Sequence, residues 1–258
     1  MKSFMDIFKE IEELRKSSSK AALAIVINTR GSTPGKVSSK MLVYSDGRIS
    51  GTIGGGRVER DIIVKAQKMI NDSGEPKVFE YTLDESYNYM CGGFMAIYVE
   101  PLKTRKRVII FGAGHVGKAL TKLLKLMDYY VIVVDDREEF GNRENFPDAD
   151  EIIIDEFIKA IGKINLDENS FVVVVTRGHE WDLEITKEVI KYPLKYIGVI
   201  GSKKKSEYIL KELRNSENSQ ENLHKIYSPV GIPIKSITPV EIGISIAAQI
   251  IDINNRLN

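Results

Sequence analysis

The sequence predicts an α/β fold, a C-terminal Rossmann-like doubly wound parallel sheet preceded by a smaller α+β module. Three observations carry this. From Arg107 onward the runs "RVIIF", "YVIVVD", "EIII", "FVVVVT" and "KYIGVI" are near-continuous and β-branched, as parallel strands covered on both faces are, and helical stretches separate them. The first run leads directly into "GAGHVG", a glycine loop between a strand and a helix. Upstream the pattern differs, with a hairpin signal at Asp46-Gly47 and a second glycine-rich stretch, "SGTIGGGRVERD". At 258 residues the chain is long enough for two cores, and the change of rhythm divides it into modules 1–102 and 103–258.

The first module opens on an amphipathic helix, with Phe4, Ile7, Phe8, Ile11 and Leu14 at helical spacing, Ser3 placed to cap and Asp6 in the first turn. "AALAIVINT" follows as a buried strand, and "MLVYSDGRIS" as a hairpin whose Asp-Gly pair accepts positive φ. Val58, Ile62, Ile63, Ala66, Met69 and Ile70 form the next helical face, ended by Gly74. Strands "KVFEYTL" and "FMAIYVE" bracket a loop containing "YMCGG". In the second module, the last helix starts with Thr238 as cap, Pro239 at the first helical position and Glu241 at the third, a capping box.

Composition narrows the function. The chain is 43% apolar and 28% charged with a net charge of +1, which gives no general electrostatic basis for binding nucleic acid or an anionic membrane. The basic cluster "KTRKR" reads as a solvated linker. The N-terminus lacks a basic head followed by an apolar run, and no stretch reaches the roughly 18 apolar residues of a membrane span, so a cytoplasmic protein is expected. One cysteine, Cys91, excludes an intrachain disulfide and an all-cysteine metal site within the chain. Its remaining roles are packing or a reactive thiol.

Gly112, Gly114 and Gly117 match G-x-G-x-x-G, with His115 inside the motif and Val116, Leu120, Leu123 and Leu124 on the helix that follows. The next strand ends in Asp135, about 20 residues on, where a dinucleotide fold places the carboxylate that accepts the ribose hydroxyls. This favours NAD, while Arg137 leaves room for a 2′-phosphate. "TRGHEWD", at the end of the fourth strand, places Arg177, His179 and Asp182 either in the ligand crevice or at an ordinary helix start. "GSKKK" plays the same part after the fifth strand, with Ser202 as cap and its lysines either meeting an anion or solvated. No Tyr-x-x-x-Lys is present, and His179 is the one substitute proton donor, so the set favours binding over turnover.

Upstream, Gly54, Gly55 and Gly56 at a helix start, with Arg57 beside them, read as an anion nest, the alternative being a tight turn without a ligand. Arg30, Ser32, Thr33, Lys36 and Lys40 add anion-binding groups, and Cys91-Gly92-Gly93 offers a thiol on flexible backbone. Taken in order, "GSTP", "KMLVYSDGRISGTIGGGRVE", "CGG", "VEP", "FGAGHVGKAL", "VVDDREEF", "TRGH", "IGVIGSKKK" and "SPVGI…TPVEIGISIAAQI" resemble the XdhC/CoxI family of xanthine dehydrogenase accessory proteins across residues of both modules. The resemblance implies a protein that binds the molybdenum cofactor (molybdopterin) and hands it, sulfurated, to a molybdenum hydroxylase client, with a sulfur-donating enzyme as second partner and a homo-oligomeric state. One glycine loop would hold the phosphate end of the pterin, and the other NAD(P) or another nucleotide. The resemblance also implies that molybdenum is held by the pterin's own sulfurs, so that the protein need supply only anion contacts, with Cys91 as a candidate soft thiolate ligand.

Three positions depart from the family pattern. Gly35 stands where an arginine is usual, Ser38 where a glycine is usual, and Gln249 where a glutamate is usual. The first two place the phosphate contacts after Arg30 in question, with Lys36 and Lys40 as replacements. An NAD(P)-dependent oxidoreductase using His179 and a regulatory nucleotide sensor are the alternative functions.

Overall fold

The computed structural model describes residues 4–16, 19–72, 74–83, 92–102, 105–215 and 220–256, in two compact units, 1–104 and 105–258. Ser3 and Cys91 lie outside the described residues.

The N-terminal unit comprises α1 (Phe4–Lys16), β1 (Ala21–Arg30), β2 (Lys40–Tyr44), β3 (Ile49–Gly51), α2 (Gly56–Asn71), β4 (Lys77–Leu83) and β5 (Gly93–Pro101). Its strands form one antiparallel sheet in the order β3-β2-β1-β5-β4. Side chains on β1 alternate between faces. Ala22, Ala24 and Val26 pack with Val58, Ile62, Ala66 and Ile70 of α2, while Ala21 and Leu23 pack with Ile7 and Leu14 of α1. The strand is therefore apolar at successive positions because a helix covers each face. Pairings Arg30↔Phe94, Ile25↔Lys40 and Met41↔Gly51 bring the end of β1, the starts of β2 and β5 and the end of β3 to one edge of the sheet.

The C-terminal unit comprises β6 (Arg107–Phe111), α3 (His115–Leu126), β7 (Tyr130–Asp135), β8 (Glu151–Ile154), α4 (Phe157–Ile161), β9 (Ser170–Val174), α5 (His179–Val189), β10 (Tyr196–Val199), α6 (Lys203–Arg214), a 3-10 turn (Gln220–Lys225), β11 (Ile226–Tyr227) and α7 (Pro239–Arg256). All strand pairings are parallel and the order is β11-β10-β9-β6-β7-β8, which reverses between β6 and β9. That reversal opens the crevice in which a dinucleotide fold binds. Strand β6 feeds both cores, Val108 and Ile110 on the face of α3 and α7, Ile109 and Phe111 on the face of α4, α5 and α6. No helix among the described residues is long and apolar enough to cross a membrane.

The caps expected at Ser202 and Thr238 form. Ser202 Oγ accepts from Lys205 N at 3.3 Å. Thr238 Oγ1 accepts from Glu241 N at 3.3 Å, and the Glu241 carboxylate accepts the Ile237 and Thr238 N–H groups at 2.7 and 3.2 Å. Those two backbone donors, Ile237 first, hold the Glu241 carboxyl below the usual carboxylate range.

Gln249 acquires a reason that its sequence position did not supply. Its Oε1 accepts from the Tyr196 hydroxyl at 2.6 Å and from Gly231 N at 2.9 Å, while its Nε2 donates to Gly231 O at 3.2 Å. Burial pushes the Tyr196 phenol well above its ordinary value, so it remains a donor. A glutamate here would turn an acceptor oxygen toward the Gly231 carbonyl. Gln249→Glu is expected to cost about 1 to 2 kcal/mol through the lost amide donor, read as a lower denaturant midpoint at neutral pH.

Candidate functional site

In the N-terminal unit the glycine-rich loops at one edge of the sheet interlock. A Cβ on Gly93 would lie 2.1 Å from Ser32 O, and one on Gly31 2.8 Å from Gly92 O. A Cβ on Gly35 would lie 1.9 Å from Ile53 O, and one on Gly54 2.4 Å from both Pro34 C and Gly35 N. The "RGSTPG", "TIGGG" and "GG" segments thus meet by backbone contact, which only residues without a side chain permit. The same contact accounts for Gly35, since no arginine fits there. Around this cluster stand Arg30, whose guanidinium lies over the Phe94 ring at 5.9 Å, exposed Lys36 and Arg57, and Lys40, whose Nζ donates to Ser38 O at 3.1 Å.

At Gly54–Gly56, read as an anion nest or a tight turn without a ligand, the N–H groups of Gly54 and Gly55 are bonded within the chain. Glu59 Oε2 accepts from Thr52 Oγ1 at 2.5 Å, from Ile53 N at 3.0 Å and from Gly55 N at 3.0 Å. Gly54 N donates to Thr52 Oγ1 at 3.1 Å. A carboxylate four residues into the helix has turned back onto the donors that were expected to face an external anion.

Ser38 has φ +72°, in the left-handed region that favours glycine. The glycine usual at this position would relieve that conformation. Ser38→Gly is expected to raise stability by about 1 kcal/mol, measurable as an increase in the unfolding midpoint, with no change in the Ser38 N to Val26 O bond of 2.9 Å.

In the C-terminal unit the glycines of the second motif have separate roles. A Cβ on Gly112 would lie 2.4 Å from Val175 O and one on Gly117 2.2 Å from Gly112 O, so both serve close packing of strand, loop and helix. Gly114 is the N-cap of α3, with φ −80° and open space where a side chain would begin. His115 is exposed at the first position of α3.

Asp135 is fully buried, and both of its oxygens are bonded inside the chain. Oδ2 accepts from Ala113 N at 2.6 Å and from Arg137 Nη2 at 3.1 Å, and Oδ1 accepts from Arg137 N and Nε at 3.1 and 2.9 Å. The carboxylate expected to accept ribose hydroxyls thus bonds Ala113 of the glycine loop and Arg137. Arg137, the residue considered for a 2′-phosphate, is held by Asp135 and lies over the Phe140 ring at 3.9 Å.

The "TRGHEWD" and "GSKKK" segments are joined. Gly178, not a side chain, caps α5. Asp182 is fully buried, accepts the Thr176 hydroxyl at 2.5 Å and forms an ion pair with Lys205. Lys205 is thus answered within the chain, while Lys203 and Lys204 are exposed. Arg177 Nη2 lies 3.2 Å from Asp136 Oδ2, and Asp136 Oδ1 is buried without a hydrogen bond. β7 and β9 flank β6, so this pair connects the loops on either side of the glycine motif. His179 is the first residue of α5, and its side chain lies outside the described parts. Among the described residues no group of His, Cys, Asp and Glu is placed to hold a metal ion.

Most of these residues stand out in the sequence, and their pairings do not. Glu59, Asp136 and the Asp182–Lys205 pair carry the local electrostatics. The available signals were a glutamate one turn after a glycine run and a second aspartate following Asp135.

Residues 108–250 match the model of the XdhC Rossmann domain, and residues 14–82 that of the XdhC and CoxI family. Over 257 residues, 98% of its length, the chain is 31% identical to an uncharacterized protein, YqeB, of Escherichia coli strain K12. It is 27% identical over 161 residues, 62% of the chain, to a protein of Bacillus subtilis strain 168 named as a probable xanthine dehydrogenase subunit. The chain spans about half the length of these curated relatives, 47% of each. A crystal structure described as a xanthine dehydrogenase from Bacillus halodurans superposes with a TM-score of 0.55 at 24% identity, covering 97% of this chain and 96% of that one, a likeness of fold.

Proposed function

Because the chain belongs to the XdhC and CoxI family, we propose that it is an accessory protein for a molybdenum hydroxylase of the xanthine dehydrogenase type, binding the molybdenum cofactor and delivering it for sulfuration and insertion. The observation that carries this reading is the interlock of the Gly31–Gly35, Ile53–Gly55 and Gly92–Gly93 segments at one edge of the N-terminal sheet. The lining fits an anionic, flat ligand: nothing lies within 4 Å of the Cβ positions of Gly55 and Gly92, which leaves space for a flat group beside the backbone. Arg30, Lys36, Lys40 and Arg57 supply positive charge for its phosphate end. Cys91, adjacent to Gly92 in sequence, is the proposed thiolate contact at the metal side. The cofactor supplies the redox metal of the client, and the role of this chain is to bind and orient it rather than to catalyse turnover.

The C-terminal unit is proposed to take a nucleotide, as part of the cofactor or as separate NAD(P), on the open backbone at Gly114 and the N-terminus of α3. Arg177 and His115 stand at that loop cluster for contact with its phosphates.

Two measurements test the proposal. Protein purified from cells fed molybdate is expected to carry molybdenum and a pterin in equal amounts, and Cys91→Ser to lose both together with the ability to activate an apo-hydroxylase. Metal-free, pterin-free protein from such cells would sink the cofactor reading. Gly114→Val, which the open space at that Cβ allows to fold, is expected to abolish calorimetric heat of nucleotide binding. Equal heats from both chains would remove the nucleotide from this loop.

A further inference from the structure

The glycine run before α2 has an occupant supplied by the chain itself. We propose that Glu59 is the resident anion of the Thr52–Gly55 turn, that no phosphate enters it, and that the carboxylate holds this turn in a single arrangement.

A helix start leaves N–H groups without intrahelical acceptors, and a glycine run exposes several at once. One oxygen of Glu59 accepts from Gly55 N at the N-cap of α2 and from Ile53 N just before the glycine run, together with the Thr52 hydroxyl, and that hydroxyl accepts from Gly54 N. Three successive donors are therefore satisfied by one side-chain pair. The arrangement matches the way a nest holds a phosphate oxygen, with the anion tethered through α2 instead of arriving from solution.

Entry of phosphate would require the carboxylate to leave or would place two anions in contact. Departure of the carboxylate is opposed from both sides of the loop. Ile53 is buried, so its N–H would lose its acceptor away from water. The Ile53 carbonyl and Gly54 are wedged against Pro34 and Gly35, so the segment has little room to turn outward. This assignment depends on bonds within the N-terminal unit alone and stands independently of the cofactor. It leaves the anionic end of any ligand there to Arg30, Lys36, Lys40 and Arg57 side chains.

The test uses the full chain, inorganic phosphate as probe and glycine-selective isotope labelling. In the native protein the Gly54 and Gly55 amide resonances are expected to remain unmoved on titration with millimolar phosphate at constant ionic strength. In Glu59→Ala the same resonances are expected to move saturably and phosphate to restore part of a lowered Tm. Glu59→Gln keeps an acceptor but no charge, and its two amide resonances are expected to shift upfield as charge-assisted bonds weaken. That variant carries the test if the alanine variant does not fold. Saturable movement of the native resonances would overturn the proposal. So would Glu59→Ala with native Tm and no phosphate response, or Glu59→Gln with native amide positions.

Discussion

Lys205→Met is expected to destabilise the C-terminal unit by about 3 to 5 kcal/mol, because it leaves the carboxylate of Asp182 buried beside a single neutral donor. Asp182 is fully buried, and Lys205 and the Thr176 hydroxyl are its two side-chain partners. The pair itself is weaker than the penalty for breaking it, since desolvation of two charges offsets most of their attraction. Asp182→Leu combined with Lys205→Met is therefore expected to recover a large part of the loss. Denaturant unfolding of the native chain, both single variants and the double variant checks this through the coupling term. Strict additivity of the single costs would show that the two side chains do not act on each other.

Gly35→Ala is expected to cost about 3 kcal/mol, at the upper end of what overpacking costs. The new Cβ would fall 1.9 Å from Ile53 O, and both groups belong to backbone that cannot rotate aside. Gly55→Ala is the internal comparison. It has φ +79° and ψ −169°, a combination adopted almost only by glycine, but nothing within 4 Å of the Cβ position, so about 2 kcal/mol of backbone strain is its whole expected effect. Thermal unfolding of the two variants against the native chain separates collision from conformation. Similar losses would mean that the loops part more readily than their contact implies.

The inner strands β6, β7, β9 and β10 were legible because each is buried on both faces and so reads as an unbroken apolar run. Caps were legible for a related reason: Ser202 and Thr238 act on N–H groups three residues away. The two-residue β11 was not, because Ile226 and Tyr227 owe their strand state to pairing with Ile197 and Gly198 of β10. Asp135 was found, and its destination was not. Whether a carboxylate at a strand end meets a ligand or the loop beside it depends on Ala113 and Arg137, which it reaches only after folding. Gly35 looked like a lost phosphate contact until Ile53 was seen against it. In each case the unread part is a distance between segments that no spacing along the chain encodes.

The division of β6 between two cores has a consequence for how the C-terminal unit comes apart. Ile109 and Phe111 anchor one face of the sheet and Val108 and Ile110 the other, on consecutive residues of one central strand. Neither helical layer can peel away without exposing the strand that holds the opposite layer, so the two faces are thermodynamically one. Amide protons of β6, β7 and β9 should then exchange with solvent only through global opening, with a common free energy of opening, making this sheet a single cooperative block rather than two half-domains sharing a wall.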